Sequence, residues 1–407
     1  MPIILVFGTS GCNKASFLES LCRGDKRFWK IELEKEWELH HQTRWTTLLD
    51  QPTAKRRNAL KETIVRLKSN LPGNKIVLLG LHATHLVEAS LSSPAPIDVL
   101  KDIGVDFCIT VFDDLAAVRH RLAKRGFHYN FQQLLLWRSA ELLAADLISE
   151  EVAQKFSNRT NIRNFFIAVK HPLSTVRKLL TNLNCIKVYS AYSISGVIET
   201  KNPDLRLRLK NETIKYRKEL LMRNIVVFDP GTLDDRLLIS KLRTNKLKQG
   251  YNTVNFKERW PYLLGRNKNL HPAVVDPKNL FPLRIQNIEA YILKKSLGGI
   301  SGHYNQIDAH ITQIDLRYVA QADFITVWRP FNQGTPSLGC RREVEYATVL
   351  ERPVIAYSTR EDKKLLEEKP RGQSRPLDRL WVSSGGLLEN QKEFWVEIDK
   401  IIQQFRK

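Results

Sequence analysis

The chain reads as an α/β protein built from two tandem parallel-sheet domains, and three observations predict it. Short apolar runs recur along its 407 residues. Stretches with helical spacing lie between them, and the pattern restarts near residue 185. Runs that are apolar throughout, rather than alternating, belong to strands covered on both faces, as in parallel sheets. The first domain is assigned to residues 1–184 and the second to 185–407, with an insertion around 238–302.

In the first domain the strands are IILVF (3–7), KIVLLG (75–80), FCITVF (107–112) and NFFIAV (164–169). Helices are expected over Lys14–Cys22, Ala54–Ser69, Asp114–Arg125 and Leu134–Ala153. The second domain opens with a strand at 186–191. A helix over Leu205–Arg223 and a strand over Ile225–Phe228 follow. A helix after Gln313 and a strand over Phe324–Trp328 come next, then helix Arg341–Leu350 and strand Pro353–Tyr357. The stretch between Leu238 and Gly302, with GRNKNLHP and LGGISGH, breaks this alternation and reads as an inserted loop.

Composition bounds the function. No apolar run approaches the roughly 20 residues that cross a bilayer, and MPIILVFGTS reads as a first strand, not a leader. Five scattered cysteines without a CxxC pair argue against a disulfide framework or a zinc site and imply a reducing cytoplasm. His303 and His310 lack a third ligand at metal spacing, so no metal site is expected. The formal charge of +21 permits nucleic acid as a partner. The basic residues are dispersed, and a solvated basic surface accounts for them equally.

GTSGCNKASFL (8–18) follows the first strand and opens a helix, the setting of a phosphate-binding loop. Gly8, Gly11 and Lys14 stand in the register of GxxxxGK(S/T). Asn13 replaces the last glycine and tolerates left-handed backbone angles. Ala15 takes the hydroxyl position that binds Mg²⁺, with Ser16 one residue on. The segment LLGLHATH, carrying His82, and RHRLAKR, carrying Arg121, complete the candidate set for ATP or another nucleotide with Mg²⁺. On these motifs residues 1–180 resemble the P-loop nucleoside-monophosphate kinases, in particular the archaeal-type adenylate kinases. The resemblance implies nucleotide binding, and the missing hydroxyl implies weak phosphoryl transfer.

The stretch DLRYVAQADFITVWRPFNQGTPSLGCRREVEYATVLERPVIAYS (315–358) and the strand VYSAYS (188–193) resemble the nucleoside 2-deoxyribosyltransferase family, whose domain is Rossmann-like or flavodoxin-like. By that resemblance Glu343 is the catalytic carboxylate and Asp315 the acidic residue that supports it; the chemistry leaves open whether Asp315 or Asp323 orients the nucleophile or serves the base. The resemblance also implies that Tyr189 and Tyr192 line a base pocket and that Ser337, Gly339, Arg341 and Arg342 meet a 5′-phosphate, although two arginines on a helix are equally an ordinary surface feature. A carboxylate opposite the base stabilises or attacks the anomeric carbon as an N-glycosidic bond breaks. Glu343, read as lying at a helix start, is expected to stay ionised there. The resemblance also implies self-association.

Two readings follow. One is a nucleotide-metabolising enzyme acting on the glycosidic bond of a nucleoside or its monophosphate, with nucleotide binding in the first domain. The other is a non-catalytic effector, of host-defence type for example, that binds nucleotides or nucleic acid.

Overall fold

The computed structural model describes residues 2–87, 90–194, 200, 202–233, 235, 300–332, 335–367 and 386–406. Residues 238–299 of the predicted insertion lie outside them. The architecture is α/β with two parallel sheets, each in its own compact unit. The first unit holds Met1–Leu183, and Asp235 and His310 belong to it; the second holds Asn184–Thr232 and Ile311–Lys407.

In the first unit the elements run β1 (Ile3–Phe7), α1 (Lys14–Cys22), β2 (Phe28–Glu32), α2 (Leu33–His41) and α3 (Thr53–Lys68). Then come β3 (Ile76–Gly80), the antiparallel hairpin β4 (His85–Val87) and β5 (Ser90–Ser92), and α4 (Ile97–Asp102). β6 (Phe107–Phe112), α5 (Leu115–Ala123), α6 (Phe131–Val152), β7 (Asn164–Ala168) and α7 (Leu173–Thr181) complete it. The five-stranded sheet has the order β2-β3-β1-β6-β7, all parallel. Every residue of β1, β6 and β7 is buried, which is why these strands read as unbroken apolar runs. Ile3, Leu5 and Phe7 join Val77, Leu79, Leu60 and Ile148 in the core on one face. β2 is the exception. It lies at the sheet edge with Trp29 exposed and Lys30 and Glu32 half-buried, so it gives no such run.

β1 lies between β3 and β6; the chain leaves β1 toward β2 on one side of the sheet and leaves neighbouring β3 toward β6 on the other. Such a reversal opens a crevice beyond the carboxyl ends of the strands, where α/β proteins bind ligands. The loop after β1 occupies it.

The second unit contains β8 (Lys187–Tyr192), α8 (Pro203–Met222), β9 (Val226–Phe228), the later turns of α9 (Ile300–Ala320), and β10 (Phe324–Trp328). After the short antiparallel pair β11 (Phe331–Asn332) and β12 (Thr335–Pro336) come α10 (Leu338–Val349), β13 (Val354–Tyr357), α11 (Arg360–Glu367), β14 (Leu387–Leu388) and α12 (Gln391–Arg406). The sheet order is β14-β13-β10-β8-β9, again all parallel. Numbered by first appearance this is 5-4-3-1-2, the flavodoxin-like arrangement, with its reversal between β8 and β10. Tyr216, Trp328, Tyr357 and Phe394 form an aromatic core over it.

Several helices begin earlier than expected, α6 at Phe131 instead of Leu134 and α10 at Leu338 instead of Arg341, and α9 most of all. α9 begins at Ile300, not after Gln313, because ISGHYNQIDAHITQ carries no proline and continues the helical spacing of the residues that follow.

Candidate functional site

The loop of residues 8–13 takes its shape from three left-handed positions. Gly8 (φ 153°) approaches β6 so closely that a Cβ would sit 2.5 Å from the Val111 carbonyl oxygen. Gly11 (φ 81°) would put one 2.9 Å from Leu122 Cγ. Asn13 (φ 67°, ψ 25°) adopts the left-handed well itself, so the replaced glycine does not stop the loop closing. The chain then enters α1 with no side-chain cap and no acidic residue in the first turn. Its leading N–H groups and helix dipole therefore suit an anion. Lys14 is the first helical residue, and its buried Nζ donates to the Leu81 carbonyl oxygen at 2.5 Å.

Glu141, from the middle of α6, supports this loop from below. Its Oε1 accepts the N–H of Gly8 and of Ala83, both at 2.9 Å. Its Oε2 accepts the N–H and the hydroxyl of Thr84, both at 2.7 Å. The carboxyl is fully buried, which raises its pKa, while Lys14 and these donors act in the opposite direction. His82 sits between the two loops. Nδ1 is 2.5 Å from the Gly8 carbonyl oxygen, Nε2 is 3.4 Å from Ser10 Oγ, and its main-chain N–H donates to Glu34 Oε1 at 3.2 Å. Packing around the ring and the nearby Lys14 cation pull His82 well below its ordinary value. The Cys12 thiol is pushed up by burial to about 11 and is no nucleophile.

Behind the loop lies a buried charge network. Arg121 Nε donates to the Gly11 carbonyl oxygen at 2.5 Å, and the guanidinium pairs with Asp113. Burial opposes ionisation of Asp113, but Arg121 and Lys170 outweigh it and hold its pKa down. Lys170 pairs with Asp114, whose carboxyl is pushed up by burial. Arg138 pairs with Asp235 at 2.5 Å and donates to the Asp113 carbonyl oxygen at 2.6 Å. Asp235 also accepts the N–H of Leu115, the first residue of α5. Arg121 thus holds the loop's main chain through the Gly11 carbonyl oxygen, with its guanidinium engaged by Asp113. Ser16 is exposed on α1, turned roughly 100° about the axis from Ala15.

Gly8, Gly11, Asn13, Lys14 and His82 are therefore brought together, while Glu141, Glu34 and Asp235 escaped the sequence reading. Glu141 lies 133 residues from Gly8 on a helix whose pattern speaks only of packing. Among the described residues no group of three or more His, Cys, Asp or Glu side chains is placed to hold a metal ion. Buried His310 stands near Arg138 and Asp235, and the His303 side chain lies outside the described residues.

In the second unit the predicted residues scatter. Asp323 lies just before β10, at the amino end of the sheet, where its carboxylate accepts the Lys187 N–H at 2.8 Å and stands 3.6 Å from Lys187 Nζ. Ligands enter such sheets at the other end, so Asp323 ties two strand starts together. Tyr189 is fully buried and stacks on Tyr318, in the core and not in a base pocket. Asp315 lies in the later part of α9 and is buried. Glu343 is the sixth residue of α10, roughly 8 Å along the axis from its first. It is 4% exposed, beyond the first-turn N–H groups invoked to keep it ionised.

Tyr192 does reach the carboxyl edge. Its hydroxyl donates to Asp229 Oδ1 at 2.8 Å, and Asp229 pairs with buried Arg217. Burial pushes the Tyr192 phenol well above its usual pKa, so it remains a donor. Ser337 caps α10, accepting the Cys340 N–H at 3.4 Å, with Gly339 in the first turn. Arg341 turns along the helix to Glu345 at 2.7 Å, and Arg342 points to Thr312. Neither arginine is directed at the helix start, which weakens the 5′-phosphate expectation.

No protein-family model matches the chain, and no curated protein matches it. Solved structures do. A shikimate kinase from Bacteroides thetaiotaomicron is 12% identical, with 44% of this chain and 99% of that one covered and a TM-score of 0.29. A shikimate kinase from Acinetobacter baumannii, solved with shikimate, is 17% identical, covering 38% and 82% at a TM-score of 0.27. The tunicamycin resistance protein of Deinococcus radiodurans is 13% identical, covering 44% and 93% at 0.28. At these scores the likenesses carry no functional argument.

Among the described residues no helix is long and apolar enough to cross a membrane.

Proposed function

We propose that the first unit binds a nucleoside triphosphate of the ATP type through the loop of residues 8–14, with slow phosphoryl transfer. One observation carries this reading. A main chain bent at Gly8, Gly11 and Asn13 leads into an uncapped helix start headed by Lys14. Successive N–H groups and a cation in that setting fit a polyphosphate. The fit to Mg²⁺ is poorer. Ala15 offers no hydroxyl, and Asp113 is taken by Arg121 and Lys170. The ion would rest on phosphate oxygens and water, as Mg²⁺ commonly does.

Displacement of a fluorescent ATP analogue by ATP, ADP, AMP and inorganic phosphate, with and without chelator, tests the reading. Triphosphate and diphosphate compete well and lose little affinity in chelator. Equal competition by inorganic phosphate alone would reduce the site to a bare anion hole.

A second reading keeps glycosidic-bond cleavage for the second unit, with Glu343 as the carboxylate and Asp315 as its partner. The start of α10, capped by Ser337 in a unit with a flavodoxin-like sheet order, is what speaks for it; Tyr192 is packed in the core with its hydroxyl given to Asp229. Base release from nucleosides and nucleoside monophosphates, followed by chromatography, is its assay, and Glu343→Gln must abolish it. Steeply salt-dependent retention of nucleic acid without base release favours the binding alternative.

A further inference from the structure

Ser10 and His82 form a pair that the phosphate-loop reading does not use. The Gly8 carbonyl oxygen only accepts hydrogen bonds, so the His82 Nδ1 beside it carries the proton. The ring is neutral, because packing and Lys14 disfavour its charged form. Nε2 therefore presents a lone pair, and it faces Ser10 Oγ at 3.4 Å. Such a separation is usual for a nucleophile and its base before substrate closes the site.

The main chain that carries the ring is fixed: the His82 main-chain N–H donates to Glu34, and the next two main-chain N–H groups donate to Glu141. A hydroxyl, a neutral imidazole and an acceptor fixing the tautomer is the arrangement that activates serine nucleophiles, here with a main-chain carbonyl as the third member. Ser10 stands between Gly8 and Gly11, inside the arc of main chain that would hold the terminal phosphates. Ser10 is half-buried, and among the described residues His82 is the side chain that meets its hydroxyl.

We propose that Ser10 is a self-phosphorylation site, with His82 as its general base. This rests on the triphosphate-binding reading above. Ser10 Oγ attacks the terminal phosphorus of the bound nucleoside triphosphate as His82 Nε2 takes the hydroxyl proton. The bond from that phosphorus to the bridging oxygen breaks, and the nucleoside diphosphate leaves with the electron pair. Phosphoserine remains in the loop, and the imidazolium returns its proton to water. Lys14 and the N–H groups at the start of α1 stabilise the charge on the phosphoryl group in transit. The product places its own dianion among those N–H groups. The reaction therefore stops at one event per chain and weakens rebinding of nucleotide.

The test uses the full chain with Mg²⁺ and ATP labelled at the terminal phosphate. Intact mass and phosphopeptide mapping follow the label, and dialysis against a non-hydrolysable ATP analogue measures binding separately. The expected result is at most one phosphoryl group per chain, on Ser10, appearing at a rate independent of protein concentration. His82→Gln slows labelling on the order of 100-fold or more. If the analogue binds but no label reaches Ser10, or the label maps elsewhere, self-phosphorylation is wrong while the nucleotide reading stands. A labelling rate untouched by His82→Gln removes the assigned base. Failure of the unmodified chain to bind the analogue sinks both.

Discussion

Glu141 accepts the main-chain N–H of Gly8 at 2.9 Å, and the same carboxylate ties down Ala83 and Thr84. One side chain on α6 thus fixes both loops that form the candidate site. Removing it leaves three buried N–H groups and a hydroxyl without an acceptor. Glu141→Ala is expected to cost about 3–5 kcal/mol, read as a lower urea midpoint at unchanged slope. Glu141→Gln, which keeps one carbonyl oxygen, costs less. A loss below about 1 kcal/mol for the alanine variant contradicts this role.

Gly11 is the second point of failure. At φ 81° a side chain is strained, and its Cβ would meet Leu122 Cγ at 2.9 Å and the Val118 carbonyl oxygen at 3.1 Å. Gly11→Ala is expected to cost about 1–3 kcal/mol and to lower nucleotide affinity on the order of tenfold or more. Unchanged affinity in calorimetric titration would show that the loop's shape does not matter to binding.

Asp235 pins α5 to the first unit through Arg138 and the Leu115 N–H. Asp235→Ala leaves a buried guanidinium whose remaining acceptor among the described residues is the Asp113 carbonyl oxygen. The expected loss is about 3–5 kcal/mol, visible as a drop in thermal midpoint. Replacement of both Arg138 and Asp235 by Met and Leu should recover much of it. A double variant no more stable than Asp235→Ala contradicts the pairing.

Acid should unfold the first unit by a specific route. Burial pulls His85 and His310 down to about 3, whereas both titrate near 6.5 when unfolded. Between those values the unfolded chain binds more protons, so stability falls as pH drops from about 6.5 toward 3 and is flat above. Denaturant midpoints at several pH values check the sign, and His85→Phe should make the slope shallower. Stability that rises on acidification through this window contradicts the assignment.

The parts legible in sequence are those decided locally. β1, β6 and β10 could be bounded to the residue, since burial on both faces leaves an unbroken apolar run ended by polar or glycine residues. Gly8 to Lys14 read as a loop because backbone shape there depends on glycines and an asparagine in a contiguous stretch. β2 did not read, because an edge strand keeps Trp29, Lys30 and Glu32 toward solvent. Asp323 shows a different limit. Its position just before an apolar strand was plain, but spacing does not say which end of a sheet faces a ligand, and Lys187 turned out to be its partner. Glu141 and Asp235 contribute through contacts 133 and 97 residues distant, which no local pattern encodes.

The central claim is that the loop headed by Lys14 grips a nucleoside triphosphate, and calorimetric titration of ATP into the full chain and into Lys14→Met tests it most directly. Methionine preserves the buried stem but removes the charge at Nζ. The account predicts saturable one-site binding by the unmodified chain, and at least tenfold weaker binding by the variant at a matched thermal midpoint. Heat that never saturates in the unmodified chain, or equal affinity in the two proteins, would contradict it.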